Sequence, residues 1–287
     1  MPKPSATISL QRRLSNGAAL GLITLAALIV TVPLFLILGT VIYRGIGQLN
    51  WTFLTHIPNG PGEEGGGMAN AIGGTMMLLG LASLIGVPLG VGAGVFLAEY
   101  GRNKFGNVVR FTADVLNGVP SIVIGLTAYA LVVVPQKHFS MLAGSIGLGI
   151  MMVPTISRTT EEVLLLVPQS IREAALGLGI PKWRTILSVV LRTASAGIAT
   201  SIMLAFARVA GETAPLMFTA FGNQYWNLKI NQPTASLPLQ IFAYAIMPYD
   251  QAHAQAWTGA LVLISIIMVT VILFRFIVSR GTIQGAG

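Results

Sequence analysis

Cysteine is absent from the 287 residues, which excludes a disulfide framework and a thiolate metal site. Charge is scarce: only 9% of the residues are Asp, Glu, Lys or Arg, where a soluble domain carries about a quarter. So small a complement cannot solvate a surface of this size. No Gly-Lys dipeptide occurs, which excludes a P-loop and with it ATP hydrolysis by this chain. The three histidines, His56, His138 and His253, are scattered and fall between the apolar segments. Each reads as a solvated loop residue rather than a ligand, and no H-E-x-x-H zinc motif is present. Ser145 in "GSIG" has no histidine in a later apolar segment to act as its base, so a serine nucleophile is set aside.

What is abundant is hydrophobic sequence, 54% of the chain, and glycine, 33 residues. This composition describes an all-α integral membrane protein. A transmembrane helix needs about 20 mostly apolar residues, and six segments qualify. They are Gly17–Tyr43, Ala69–Leu97, Val115–Val134, Met141–Ile156, Ala194–Phe218 and Ala256–Val278. The first follows Arg12 and Arg13, yet its apolar run is too long for a signal peptide and no small-residue cleavage site follows it. The second carries Gly86, Gly90 and Gly94, a small-residue stripe suited to close helix packing. No internal repeat is evident.

An even number of spans places both termini on one side. On that side fall Lys3, Arg12, Arg13, Arg102, Lys104, Arg110, Arg158, Arg172, Lys182, Arg184, Arg192, Arg275 and Arg280. The other side holds Arg44, Lys137 and Lys229. The basic side is expected to be cytoplasmic, so the net charge of +8 marks cytoplasmic loops and not nucleic-acid binding. The expected organisation is a cytoplasmic N-terminus (1–16), one membrane domain (17–280, core 69–278) and a cytoplasmic tail (281–287). The segment 48–68, with "PNGPGEEGGG", is expected to be an external solvated loop.

The loop 168–192 is too ordered in its chemistry to be a linker. Ser170 and Glu173 have capping-box spacing. Gly177 and Gly179 can end the helix at positive φ, and Pro181 suits the start of another. Two short helices joined by a glycine turn are therefore expected at the cytoplasmic face. "EAALGLG" followed by "PKWRTILSVVL" resembles the EAA loop of the membrane subunits of ATP-binding-cassette importers. Glu173, Ala174, Ala175 and Gly179 match that pattern in order and spacing; Arg192 stands where it commonly ends in proline. The resemblance implies a coupling helix that docks on a separate ATPase, and small Ala174 and Ala175 would let that surface come near.

Arg208 and Glu212 stand inside the fifth apolar segment, in "RVAGETAP". A charge at mid-bilayer costs about 3 kcal/mol on insertion scales, and such residues mark function by default. Their i, i+4 spacing on a continuous helix would put them on one face, where they could pair. The alternative is a structural ion pair. Thr213 joins the candidate site, and Pro215 would loosen the helix near Gly211. Guanidinium suits oxyanions, phosphate above all. Glu212 could accept the O–H of a partly protonated phosphate, which sulfate lacks. Asp114, Asn117 and Ser121 are spaced i, i+3, i+7 where Pro120 suggests a cap or bend. Arg158 with Glu162, and Thr159 with Glu162, have pairing and capping spacings near the end of span four.

"RVAGETAPLMFTA", "GGGMANAIGGT", "LAEYGR", "VPSIVIGL", "SRTTEE", "LVPQSIREAA" and "GNQYW" resemble the phosphate-specific importer permeases of the PstA type. That resemblance implies the type I ABC importer permease fold, with six transmembrane helices and a cytoplasmic coupling helix. It implies a transport path through Arg208, Glu212 and Thr213, and location in a bacterial plasma (inner) membrane. It implies partners: a PstC-type sister permease, a PstB-type ATPase dimer and an external PstS-type phosphate-binding protein. ATP and Mg would be used by the ATPase, with no cofactor held by this chain. Alternatives are a proton- or sodium-driven transporter with Glu212 as the proton site, a membrane protein with no pathway, and an importer of another oxyanion.

Overall fold

Within a bilayer a backbone must satisfy its own polar groups, so long apolar runs become helices. The computed structural model describes residues 10–60, 63 and 65–283, and the described residues form no strand. The ends of the expected tails (1–9, with Lys3, and 284–287) and Glu64 lie outside them. In chain order the helices are α1 (Leu10–Gly45), α2 (Trp51–Thr55), α3 (Ala69–Glu99), α4 (Lys104–Gly118), α5 (Ser121–Ala128), α6 (Val134–Gln136), α7 (Met141–Leu165), α8 (Gln169–Gly177), α9 (Lys182–Thr185), α10 (Leu191–Ala210), α11 (Ala214–Thr219), α12 (Leu237–Ala245) and α13 (Asp250–Ile283). Single π turns, Tyr129–Val133 and Ile186–Val190, join α5 to α6 and α9 to α10 without a break.

The bundle is built on α3 against α7. A Cβ added at Gly86 would lie 2.8 Å from Met152 Cβ, at Gly90 2.7 Å from Ile156 Cβ, and at Gly94 2.6 Å from Thr160 Cβ. Only the missing side chains permit this approach. The register advances the same way on both helices, so α3 and α7 run parallel. The chain between them must therefore cross back. Five helices are each long and apolar enough to span, and the bent pair Lys104–Gly118 and Ser121–Gln136 raises the total to six. The return requirement identifies that pair as the third crossing. It begins earlier than the expected Val115 and bends by 107° at Val119–Pro120, where proline lacks the donor to continue a helix.

The fifth crossing is also two pieces. Antiparallel to α7, Gly197 meets Val163 and Arg208 reaches Thr155. Helix α10 then stops at Ala210, and α11 carries the chain on, with Thr219 accepting from the Ser140 amide at the start of α7. The expected single helix Ala194–Phe218 is thus interrupted at 211–213, and its N-terminal end extends back to Lys182. Gly45 packs on Trp257 and Leu261, and Gly259 on Met68. The end of α1 and the starts of α3 and α13 therefore share one face. The opposite face holds the first turn of α1, the last turn of α13 and α8–α9. His253 lies in the first turns of α13, not in a loop.

Burial separates lipid-facing from protein-facing surface. The apolar window of α1 is 6% buried and that of α7 is 72% buried. The core joins Leu78, Leu148, Met152, Ile156, Ala205, Val209 and Leu216. Replacing Gly90 by Ala should lower the melting temperature in detergent, since overpacking costs about 1–3 kcal/mol. Gly92→Ala, with nothing within 4 Å of its added Cβ, should leave it unchanged or raise it slightly.

Candidate functional site

The loop 168–192 folds as two short helices with a glycine turn. The Ile180 amide donates to Ala175 O and the Gly179 amide to Leu176 O, a Schellman ending with Gly179 at φ +78°. The N-terminus differs from expectation. Pro168 is the N-cap and makes no side-chain cap bond, so Ser170 sits one residue inside the helix and closes no capping box. Pro181 is likewise the N-cap of α9. Glu173, Ala174 and Gly179 are exposed, while Ala175 is buried beneath α8. The small size of Ala175 therefore serves packing inside this chain.

Arg172 anchors this element. Its Nε and Nη2 donate to Glu99 Oε1 at 3.0 and 2.9 Å, and its Nη1 and Nη2 donate to Val167 O and Leu164 O. The two side chains are 13% and 7% exposed. Lys182 adds a bond to Glu99 O and lies 4.2 Å from the Tyr100 ring centroid. The sequence alone did not single out Glu99 or Arg172; "LAEYGR" and "SIREAA" offer no spacing signal, because the pair is 73 residues apart.

A second ionic cluster ties α4 to α7. Arg110 Nε meets Glu161 Oε1 at 2.6 Å, Arg158 Nε meets Asp114 Oδ1 at 2.8 Å, and Arg158 Nη1 takes Glu161 Oε2. Arg158 thus pairs with Glu161 and Asp114 rather than with Glu162, which is exposed. Thr159 bonds Thr155 O within an unbroken helix and caps nothing.

Contacts along α7 give the depth of Arg208. Its Nη1 donates to Thr155 Oγ1 at 3.3 Å. Thr155 is 14 residues past Met141 and 10 before Leu165, about 21 and 15 Å along the helix at 1.5 Å per residue. The guanidinium is therefore rooted near mid-depth, as expected. The expected pairing is absent: the helix ends before Glu212, and no Arg208–Glu212 ion pair occurs among the described residues. Glu212 and Thr213 occupy the break between α10 and α11, both half-buried. The bend at Val119–Pro120 lies at the same level. Thr155 Oγ1 donates to Asn117 Oδ1 at 3.0 Å, and a Cβ at Gly125 would lie 2.6 Å from Pro215 Cα. Neither Asn117 nor Thr155 was assigned to the site from sequence.

Arg208 belongs to an uncovered stripe of α10: Thr193, Ala196, Thr200, Leu204 and Arg208. Helix α1 is exposed nearly all round, with large apolar residues such as Leu20, Leu22, Ile23, Leu28, Ile29 and Phe35 among its uncovered side chains. The α10 stripe suits protein or water, the α1 surface lipid.

The family model described as the binding-protein-dependent transport system inner membrane component matches residues 86–282. The chain belongs to that family. Among its relatives, the phosphate transport system permease protein PstA of Yersinia pestis is 43% identical over 94% of this chain and 92% of its own. That of Xylella fastidiosa is 45% identical over 95% and 96%. PstA 1 of Mycobacterium tuberculosis is 35% identical over 95% and 92%. The fold is similar to a chain of the inward-facing MetNI methionine ABC transporter, with a TM-score of 0.58, 18% identity, and 76% of this chain and 96% of that one covered. This is the type I importer permease architecture, and the family member is a multi-pass membrane protein and a transport subunit rather than an enzyme.

Exchanging Glu99 for Gln should leave the half-buried Arg172 without its counter-charge. Amide hydrogen exchange across residues 169–177 should then accelerate by about tenfold or more as α8 loosens; unchanged exchange would show that the backbone carbonyls hold Arg172 alone.

Proposed function

We propose that this chain is the PstA-type permease subunit of an ATP-driven phosphate importer and forms half of the translocation path. The observation that carries the reading is Arg208, rooted at mid-depth on an uncovered, small-residue face where two crossings break. A guanidinium cannot face hydrocarbon there, so its free side faces a second subunit or a water-filled path. A PstC-type sister permease supplies the other wall. An external PstS-type protein delivers phosphate, and a PstB-type ATPase dimer, using ATP and Mg, docks on the coupling element. The exposed Glu173, Ala174, Leu176, Leu178 and Trp183, flanked by exposed Lys182 and Arg184, offer that dimer a mixed apolar and charged surface, with Gly179 setting the turn. The excess of basic residues on the α8–α9 side supports an orientation with that side, and both ends of the chain, at the cytoplasmic face of a bacterial inner membrane.

Arg208 offers donors to a phosphate oxyanion. Glu212, in the adjoining break, accepts a hydrogen bond from the O–H that a monohydrogen or dihydrogen phosphate carries, and Thr213 adds a hydroxyl. A proton-coupled mechanism needs no docking element, whereas this chain has an α8–α9 element held by a partly buried ion pair.

Liposomes containing all four kinds of subunit should take up labelled phosphate only with ATP inside. Arg208→Gln should assemble and lose at least about tenfold of that uptake, as expected for removal of a charge-assisted bond. Uptake without ATP, or normal uptake by the variant, overturns the reading. Glu212→Gln should lower the ratio of labelled phosphate to labelled sulfate accumulated by the same liposomes. A ratio equal to wild type would remove Glu212 from selectivity.

A further inference from the structure

Three arginines, on α4, α7 and α8, are neutralised by carboxylate. Arg110 pairs with Glu161, Arg158 with Asp114 and Glu161, and Arg172 with Glu99. Arg208 is treated differently: its recorded partner is a neutral hydroxyl, Thr155 Oγ1. That hydroxyl has one proton, and it is given to Asn117 Oδ1 at 3.0 Å. Its lone pairs are therefore left facing Arg208 Nη1. The three side chains form a directed relay: Arg208 donates to Thr155, and Thr155 donates to Asn117.

We infer that Thr155 and Asn117 are positioning residues for the oxyanion, acting through Arg208; this rests on the phosphate reading above. A carboxylate at position 155 would hold the guanidinium equally well but cancel the charge that the ligand needs. A hydroxyl without a fixed acceptor could turn its proton toward Nη1 and release it. Asn117 removes that freedom, because its carbonyl oxygen takes the proton. One nitrogen of Arg208 is thus tied to the rigid α7, and the remaining N–H groups keep a set direction and an undiminished positive charge. Placement explains why the relay sits here. Asn117 is the penultimate residue of α4, just before the Pro120 bend, and Arg208 is three residues before Gly211, where α10 gives way. Thr155 lies between the two breaks, on α7, which continues as one helix through Pro154.

The test uses the reconstituted four-component importer and reads labelled phosphate moved per ATP hydrolysed. Thr155→Val keeps the shape and removes the hydroxyl; Thr155→Ser keeps the hydroxyl. The valine variant should hydrolyse ATP within about twofold of wild type while moving about tenfold less phosphate per ATP, the effect of one bond to a charged group. The serine variant should move phosphate as wild type does. A merely structural role would depress ATP hydrolysis and transport together and would not be rescued by serine. Wild-type phosphate transfer by the valine variant, or equal losses in both variants, overturns the relay while leaving the phosphate reading intact. Absence of phosphate uptake by wild type overturns both.

Discussion

The glycine face of α3 brings its backbone so close to α7 that Cβ atoms at Gly86, Gly90 and Gly94 would overlap Met152, Ile156 and Thr160. In hydrocarbon there is no hydrophobic force between helices, so such contact supplies the attraction through packing. Because the two helices run parallel, the chain between them has to return across the membrane within 41 residues, 100–140. Those residues are too polar at one end and too proline- and glycine-bent at the other to make one straight span. The bent third crossing is the result, and its two arms are held in the bundle by different means, α4 against α7 and α5 against α11. Ion pairs hold α4. The α5 arm is held by the close approach of Gly125 to Pro215.

Two interruptions at one depth would be costly if both faced lipid, since each leaves backbone groups without helical partners. Here they face each other and α7. The polar groups freed or carried there, Asn117, Thr155, Arg208, Glu212 and Thr213, collect on one side of the bundle. This is the condition under which irregular backbone persists at membrane depth: burial in protein or lining of a wet cavity. The cost of the arginine and the cost of the breaks are thus met by the same arrangement. Distributed along the chain, each would have required its own compensation.

The number of spans, the close α3 contact, the glycine turn of the α8–α9 loop and the mid-depth position of Arg208 were all legible in the sequence. They depend on local composition, a glycine stripe, a glycine–proline punctuation and a charge within an apolar run. What escaped was long-range or depended on a boundary. The i, i+4 argument for Arg208 and Glu212 assumed a helix that Gly211 and Pro215 in fact end. Glu162 was preferred to Glu161 as the partner of Arg158 because spacing along one helix cannot register Asp114 and Arg110 arriving from α4. Ser170 lost its capping role to Pro168, which already turns the chain. Glu99 and Arg172 give no sign of each other because nothing local connects them.

The long-range contacts also make the coupling reading mechanical. Glu99 ends α3, and Arg172 ties α8 to it through two charge-assisted bonds. From Glu99, α3 runs directly along α7 through the glycine face. Thr155 lies on α7 only ten residues, about 15 Å, from its C-terminal end beside α8. A displacement of α8 therefore meets no flexible segment before it reaches the residue that holds Arg208. By contrast α10, which carries Arg208 itself, is joined to α9 through a π turn and ends in a break, so it can bend at both ends. Under the proposed function, a push at the coupling element moves the α3–α7 pair as one body against the more compliant α10. The Thr155–Arg208 bond lies between the two, where relative motion of these parts would be felt as a change in the direction of the guanidinium.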